Sequence, residues 1–271
     1  SNLEYLVFFS WMNLVVIFGC YCLYYAVVIT ITLWISMRSK SSGMALVTSL
    51  VIWIGFSFIA PKVATNFANS NHPYPSKTEF LSRISEDKKN GLDGHNPWNK
   101  AAKELELATL AEYGVDSIEQ LPFNYSGYRM QKGEEHEAEI YAKHYTILRG
   151  IAQDQGRTYE SLSFISPFIS LRFLSMEFAN TSDNLHWKFM ESAEQYRIEK
   201  QRFLNYDIKD NSNHGQRGYK MTQDKFKNLA KFSVVPPNLS EILSENTQNI
   251  FLLICWFVFP FAGFLITSKK I

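Results

Sequence analysis

Residues 5–37 read YLVFFSWMNLVVIFGCYCLYYAVVITITLWISM, 33 positions without a single charged side chain. A helix rises about 1.5 Å per residue, so roughly 20 apolar residues cross a hydrocarbon core of about 30 Å and this run exceeds the need. Two further uncharged runs follow, 21 residues at 41–61 and 23 at 246–268. Three membrane crossings are the expectation. The averages conceal it: 271 residues at 46% hydrophobic and a mean hydropathy of −0.15 would suit a soluble domain if the apolar residues were spread evenly.

Between the runs, residues 62–248 hold 23 of the 27 basic and 25 of the 26 acidic residues, a formal charge of −2 over 187 positions. Near-neutral balance with both signs interspersed argues against a nucleic-acid surface, which needs a basic stripe to displace counterions from phosphates. The turn Arg38-Ser39-Lys40-Ser41-Ser42-Gly43 is basic without an acid, and the last run ends in Lys269-Lys270, so both read as cytoplasmic. The expected fold class is therefore an all-α membrane protein with three transmembrane helices and a mostly helical extracytoplasmic domain between the second and third. Its order is a transmembrane or part-interfacial segment at 1–37, a cytoplasmic turn at 38–43 and a second span at 44–61. The extracytoplasmic domain follows at 62–248, then a third span at 249–267 and a cytoplasmic tail at 268–271. Ser1-Asn2-Leu3-Glu4 lacks the basic start of a signal peptide, and the expectation is a fragment whose missing N-terminal part carries further spans.

Cys20, Cys22 and Cys255 all lie in apolar runs, so the large domain has no disulfide to form. At helical spacing Cys20 and Cys22 point about 200° apart, which favours small apolar fillers over a metal pair. Within the domain, helices are expected at 77–89, at 98–113 with Gly114 as its C-terminal cap, and at 133–153 with Ile140, Tyr141, His144, Ile147, Leu148 and Ile151 on one stripe. Ser166-Pro167 opens an apolar helix through residue 178, too short to span, either buried in the domain or lying on the outer membrane face. The 181–184 stretch, with Asp183 as cap, opens the longest helix at 185–209, with Phe189, Ala193, Tyr196, Phe203 and Leu204 inward.

Chemistry is sparse. No glycine is followed by lysine, which removes the phosphate-cradling loop, and apart from Glu4 no acid, base or histidine lies within the spans. The best metal candidate is Glu134-Glu135-His136-Glu137 with Glu139 and His144. Its two histidines are eight residues apart, about 80° and 12 Å on an ideal helix, which is too far for one ion without other ligands. The plainer reading puts His136 on a solvated face, His144 at the core edge and the glutamates at a helix start, where the dipole favours them. No catalytic role is expected.

The basic turn, the span ending in Pro61, the linker NHPYPS at 71–76, LPFNYSGYRMQKGEEHEAEIYAKHY at 121–145, SPFISLRFLSMEFANTSDN at 166–184, AEQYRIEKQRFLN at 193–205 and VVPPNLSEIL at 234–243 together resemble bacterial ABC-2-type transporter permeases with a large extracytoplasmic domain in their C-terminal half. The resemblance covers essentially the whole chain. It implies an exporter-like subunit of the bacterial inner membrane with no cofactor of its own. ATP and Mg2+ would sit on a separate ATP-binding cassette subunit, with a second permease copy or half and membrane lipid as further partners and the cargo undefined. The positions that match its segments include Asn124, Glu135, His144, Asp183, Tyr196 and Arg197. Where the family often has a Gly-Thr-Asp turn, this chain has Asn180-Thr181-Ser182-Asp183. Two rivals remain: a membrane-anchored extracytoplasmic sensor or interaction protein, and a membrane-anchored hydrolase using the glutamate-rich helix.

Overall fold

The computed structural model describes residues 2–216, 218–227, 229 and 231–269, with side chains from residue 11 onward. Among these residues the chain is all helix, with no strand. In order, the helices are α1 (Asn2–Arg38), α2 (Ser42–Ile54), α3 (Ala60–Asn71), α4 (Lys77–Lys89), α5 (Lys100–Tyr113), α6 (Tyr125–Ser161), α7 (Pro167–Phe178), α8 (Asp183–Asn211), α9 (Gln223–Lys227), α10 (Leu239–Glu245) and α11 (Thr247–Ser268). Two compact units result. The first gathers Ser1–Pro73, Ile151–Trp187 and Val235–Ile271, and the second Tyr74–Gly150 and Lys188–Val234.

In the first unit, Trp11–Arg38, Ser42–Asn71 and Thr247–Ser268 are long and apolar enough to cross a membrane. α1 and α11 run parallel with their C-terminal ends level. There the Trp34 indole donates to Thr267 Oγ1 at 3.1 Å, and Gly263 approaches the Trp34 ring so closely that a Cβ would lie 2.8 Å from it. The helix of the second candidate span runs on past residue 61. A π-turn, Gly55–Ile59, joins α2 to α3 and the helix continues to Asn71. Proline is tolerated there because it enters at the start of the α3 register, where its ring meets no preceding α turn.

The π-turn leaves a defined vacancy. In its i to i+5 register the Ala60 N–H donates to the Gly55 carbonyl, so the next donor, for the Phe56 carbonyl, falls on Pro61, which has no N–H. The Ser166 hydroxyl, fully buried, takes that place and donates to Phe56 O at 2.7 Å. The same oxygen accepts from the Phe168 N–H at 3.2 Å and so caps α7. Tyr24 OH pairs with Ser57 Oγ beside it at 3.0 Å.

α7 is thereby set among α1, α11 and the π-turn. Leu171, Leu174 and Phe178 join Tyr24, Ile242 and Leu253 in the unit's apolar core, each large side chain contributing about 1.5–3 kcal/mol by burial. Asn13 Nδ2 donates to Phe178 O at 2.9 Å, so the part of α1 beyond one crossing's length holds the far end of α7. Asn180 takes the left-handed conformation after α7, φ 56°, and the Thr181 N–H closes the turn on Met176 O at 2.8 Å. The helix that follows is capped by Ser182, whose Oγ accepts from the Leu185 N–H at 3.3 Å; Asp183 is already its first residue.

In the second unit, α4, the first two-thirds of α6 and most of α8 pack through glycines and polar groups. Gly94 faces Gly133 with no room for a side chain on either, and a Cβ on Gly127 would meet Lys209 N at 2.6 Å and Asn205 O at 2.8 Å. Gly114 ends α5 with φ 64°, as expected from sequence. α6 starts earlier than the 133–153 expectation because Asn124 Oδ1 caps it by accepting from the Ser126 N–H at 2.9 Å, and it runs on to Ser161. Trp98 precedes α5 and is exposed; Ala102 and Thr109 are its buried residues instead. Ile147, Phe189 and Phe203 are likewise exposed. On α8 the buried residues are polar, Asn205 and Asp207, so a search for apolar stripes selects the wrong face.

Replacing Gly127 by alanine forces α6 and α8 apart and is expected to lower stability by about 1–3 kcal/mol. Gly156→Ala, with nothing within 4 Å, is expected to be neutral or to stabilise by up to about 1 kcal/mol. Thermal unfolding of the two detergent-solubilised variants checks the contrast.

Candidate functional site

A buried polar seam joins α6 to α8 in the second unit. Asn205 Nδ2 donates to Gln131 Oε1 at 3.2 Å, Gln131 Nε2 donates to Glu135 Oε1 at 3.0 Å, and Gln201 Nε2 donates to Asn205 Oδ1 at 3.3 Å. Gln131 and Asn205 are each about 2% exposed, so these bonds replace water that cannot reach them. Lys132 Nζ closes the chain on Glu135 Oε2 at 2.9 Å. Burial pushes the Glu135 carboxyl up, but the bonds from Gln131 and Lys132 outweigh it and hold it below its ordinary value.

Arg197 ties the same two helices at the surface. Its Nε and Nη2 take both oxygens of Glu194 at 2.9 Å, and its Nη1 reaches Glu134 Oε2 at 3.1 Å. Those carboxylates raise its already high pKa. Asn124 sits at the end of the seam, where its Nδ2 donates to Ser212 Oγ at 2.7 Å and to Asn213 O at 3.1 Å and holds the loop after α8.

The remaining sequence-selected residues lie elsewhere. His144 is buried in the contact of α4 with α6, where its Nε2 meets Asp87 Oδ2 at 2.8 Å and Lys143 donates to the same oxygen at 2.8 Å. The Lys143 and His144 bonds hold the Asp87 carboxyl below its ordinary value. His136 is not on a solvated face: its ring lies against Gly91, which has no side chain to obstruct it, and its Nε2 is buried. The two histidines thus have separate neighbours, and among the described residues no three His, Cys, Asp or Glu side chains converge as ion ligands do. Asp183 is exposed.

Tyr196 borders an open cleft of about 470 Å3 between α8 and residues 231–233. Phe232 inserts its ring between Phe189 and Tyr196, at 5.7 and 5.5 Å between centroids. Glu191, Glu199 and Lys231 also line the cleft, and Glu191 is held by Arg149 at 2.9 Å. The arrangement offers an apolar floor with charge of both signs at the rim.

Sequence reading missed a further cluster. Asp207, buried near the end of α8, accepts from Lys225 Nζ at 2.7 Å, Tyr219 OH at 2.6 Å and Asn211 Nδ2 at 3.1 Å, fastening the segment after α8 back onto the helix. Burial pushes its carboxyl up, but the Lys225 and Tyr219 bonds prevail and keep it below its ordinary 3.8, while the same bond pushes the Tyr219 hydroxyl up to about 12. An aspartate in an otherwise solvated helix gives no signal of this in sequence.

An all-helical chain with three helices long and apolar enough to cross a membrane, and a second, polar-seamed helical unit, is the class these features define. Residues 77–234, more than half of the chain, match the family described as Domain of unknown function (DUF3526), and the protein belongs to that family. No curated protein and no solved structure matches it.

The lowered Asp207 value fixes a pH dependence. A depressed carboxylate contributes stability that is fully present above its ordinary 3.8 and is lost as pH falls through the lower folded value. Asp207→Asn is expected to cost about 1–3 kcal/mol at neutral pH and progressively less on acidification. Chemical denaturation as a function of pH measures both.

Proposed function

We propose that the chain is a membrane-spanning permease subunit, the C-terminal half, of an ATP-driven ABC-2-type exporter in a bacterial inner membrane. ATP and Mg2+ are handled by a separate ATP-binding cassette subunit, and a second permease copy or half completes the path. The observation that carries this reading is the first unit's outer surface. Trp11, Leu14, Val15, Phe18 and Ile29 of α1, Leu46, Val47 and Val51 of α2, and Phe251, Phe259 and Ile266 of α11 are all exposed, a surface that only lipid or partner helices satisfy.

Arg38 and Lys40 in the short turn and Lys269 after α11 favour cytoplasmic placement of those ends; Lys270 lies outside the described residues. That orientation puts the charged residues of the second unit on the periplasmic side, where they bind cargo or a partner or gate the exit. The absence of a phosphate-binding loop in the sequence is in keeping with hydrolysis on another chain. The sensor alternative draws on the Tyr196–Phe232 cleft, which is open to a small ligand.

Affinity purification of the full-length protein from native membranes in mild detergent, with a magnesium-dependent ATPase assay on the eluate, tests the proposal. A stoichiometric ATP-binding cassette partner with activity is expected. A preparation with no ATPase, or one carrying a kinase or cyclase, overturns it in favour of the sensor.

A further inference from the structure

We infer that the corner between α6 and α7, tipped by Phe164 and Ile165, is a lipid-contacting wedge set within the hydrocarbon of the leaflet far from the 38–43 turn. The inference rests on the three candidate spans crossing a bilayer. Each gives an independent depth. A crossing takes about 20 residues, so counting from Arg38, Ser42 and Ser268 puts the far boundary near Phe18, Lys62 and Gln248. The corner touches each helix inside that line. Phe168 packs on Tyr24 at 6.0 Å, Ser166 donates to Phe56 O, and the Trp256 indole donates to Ser163 O at 3.4 Å. Tyr24, Phe56 and Trp256 lie six, six and eight residues within the boundary, or about 9–12 Å at 1.5 Å per residue.

The chain on either side of the corner agrees with that depth. Residues 161–171, SLSFISPFISL, carry no charge, and the first charges beyond them are Glu160 and Arg172. Glu160 Oε1 accepts from Asn249 Nδ2 at 2.6 Å, within one residue of the counted boundary. Arg172 comes six residues after Ser166 along α7, a rise of about 9 Å that returns it to the same level, where its Nη1 donates to Tyr159 OH at 3.1 Å. Within the corner the polar groups are turned inward: Ser163 and Ser166 are fully buried. Phe164 and Ile165 face outward at 62% and 45% exposure. A Phe-Ile pair exposed at that depth meets acyl chains, and no charge nearby argues for a polar partner.

The test uses full-length protein with Cys20→Ala, Cys22→Ala and Cys255→Ala, in vesicles of phosphatidylethanolamine and phosphatidylglycerol. One position at a time is changed to cysteine and labelled with an environment-sensitive nitrobenzoxadiazole dye: Phe164→Cys, Ile165→Cys, Phe259→Cys in α11 and Trp98→Cys in the second unit. The expected result is blue-shifted emission at 164 and 165, quenched by lipids doxyl-labelled midway along the acyl chain and untouched by aqueous iodide, as at 259 and opposite to 98. Iodide quenching at 164 and 165 with lipid quenching at 259 overturns the wedge alone. Quenching by neither agent at the tip also overturns it and assigns the surface to a protein partner. Loss of lipid quenching at 259 removes the membrane reading and the wedge with it.

Discussion

The Phe56 carbonyl is the point on which the first unit turns. The sequence places Pro61 five residues later, and the π register between them brings that carbonyl opposite a residue with no N–H to give. A buried carbonyl left without a partner costs about 1–3 kcal/mol, and more where no water is available. Ser166, 105 positions ahead of Pro61 in the chain, supplies the missing donor while capping α7 with the same oxygen. One hydroxyl thus satisfies a break in one helix and starts another. The apolar face of α7 against Tyr24 and Leu253 then follows from where its first residue is held.

The second unit is built on a different balance. Its buried polar contacts include Gln131 with Asn205 between α6 and α8 and Asp207 with the segment after α8, and glycines stand at the closest approaches. Buried amide and carboxylate groups add little net stability over apolar packing, but each demands one geometry, because a slipped helix leaves them unsatisfied. Such a unit has a specific register without a large apolar core. That suits a domain with few long apolar stretches, in which Phe189 and Phe203 of α8 are exposed while Tyr125 at the start of α6 is buried.

Much of this was legible in sequence. The uncharged runs gave the three candidate spans, Ser166-Pro167 marked the start of α7, Ser76 and Lys89 bracket α4 as expected, and Gly114 stopped α5. These signals are local: a run length, a cap, a φ that only certain residues take readily. What escaped was set at long range. Nothing near Pro61 indicates that its lost donor is replaced from residue 166, and Asp207 looks like any solvated helix aspartate until Lys225 and Tyr219 fold back onto it. Among the six residues singled out in sequence, Asn124, Glu135 and Arg197 share the α6 and α8 contact, while His144, Asp183 and Tyr196 lie apart. They hold helices in place more visibly than they assemble a site.

A double-mutant cycle on Ser166 and Pro61 tests this account most directly, read as thermal stability of the solubilised full-length protein. Ser166→Ala alone strips the Phe56 carbonyl of its donor and is predicted to destabilise by about 1–3 kcal/mol. Pro61→Ala restores an N–H at the position the π register requires, so in its presence the serine substitution is predicted to cost clearly less. Equal costs for Ser166→Ala in both backgrounds would contradict the claim that the hydroxyl stands in for the missing amide.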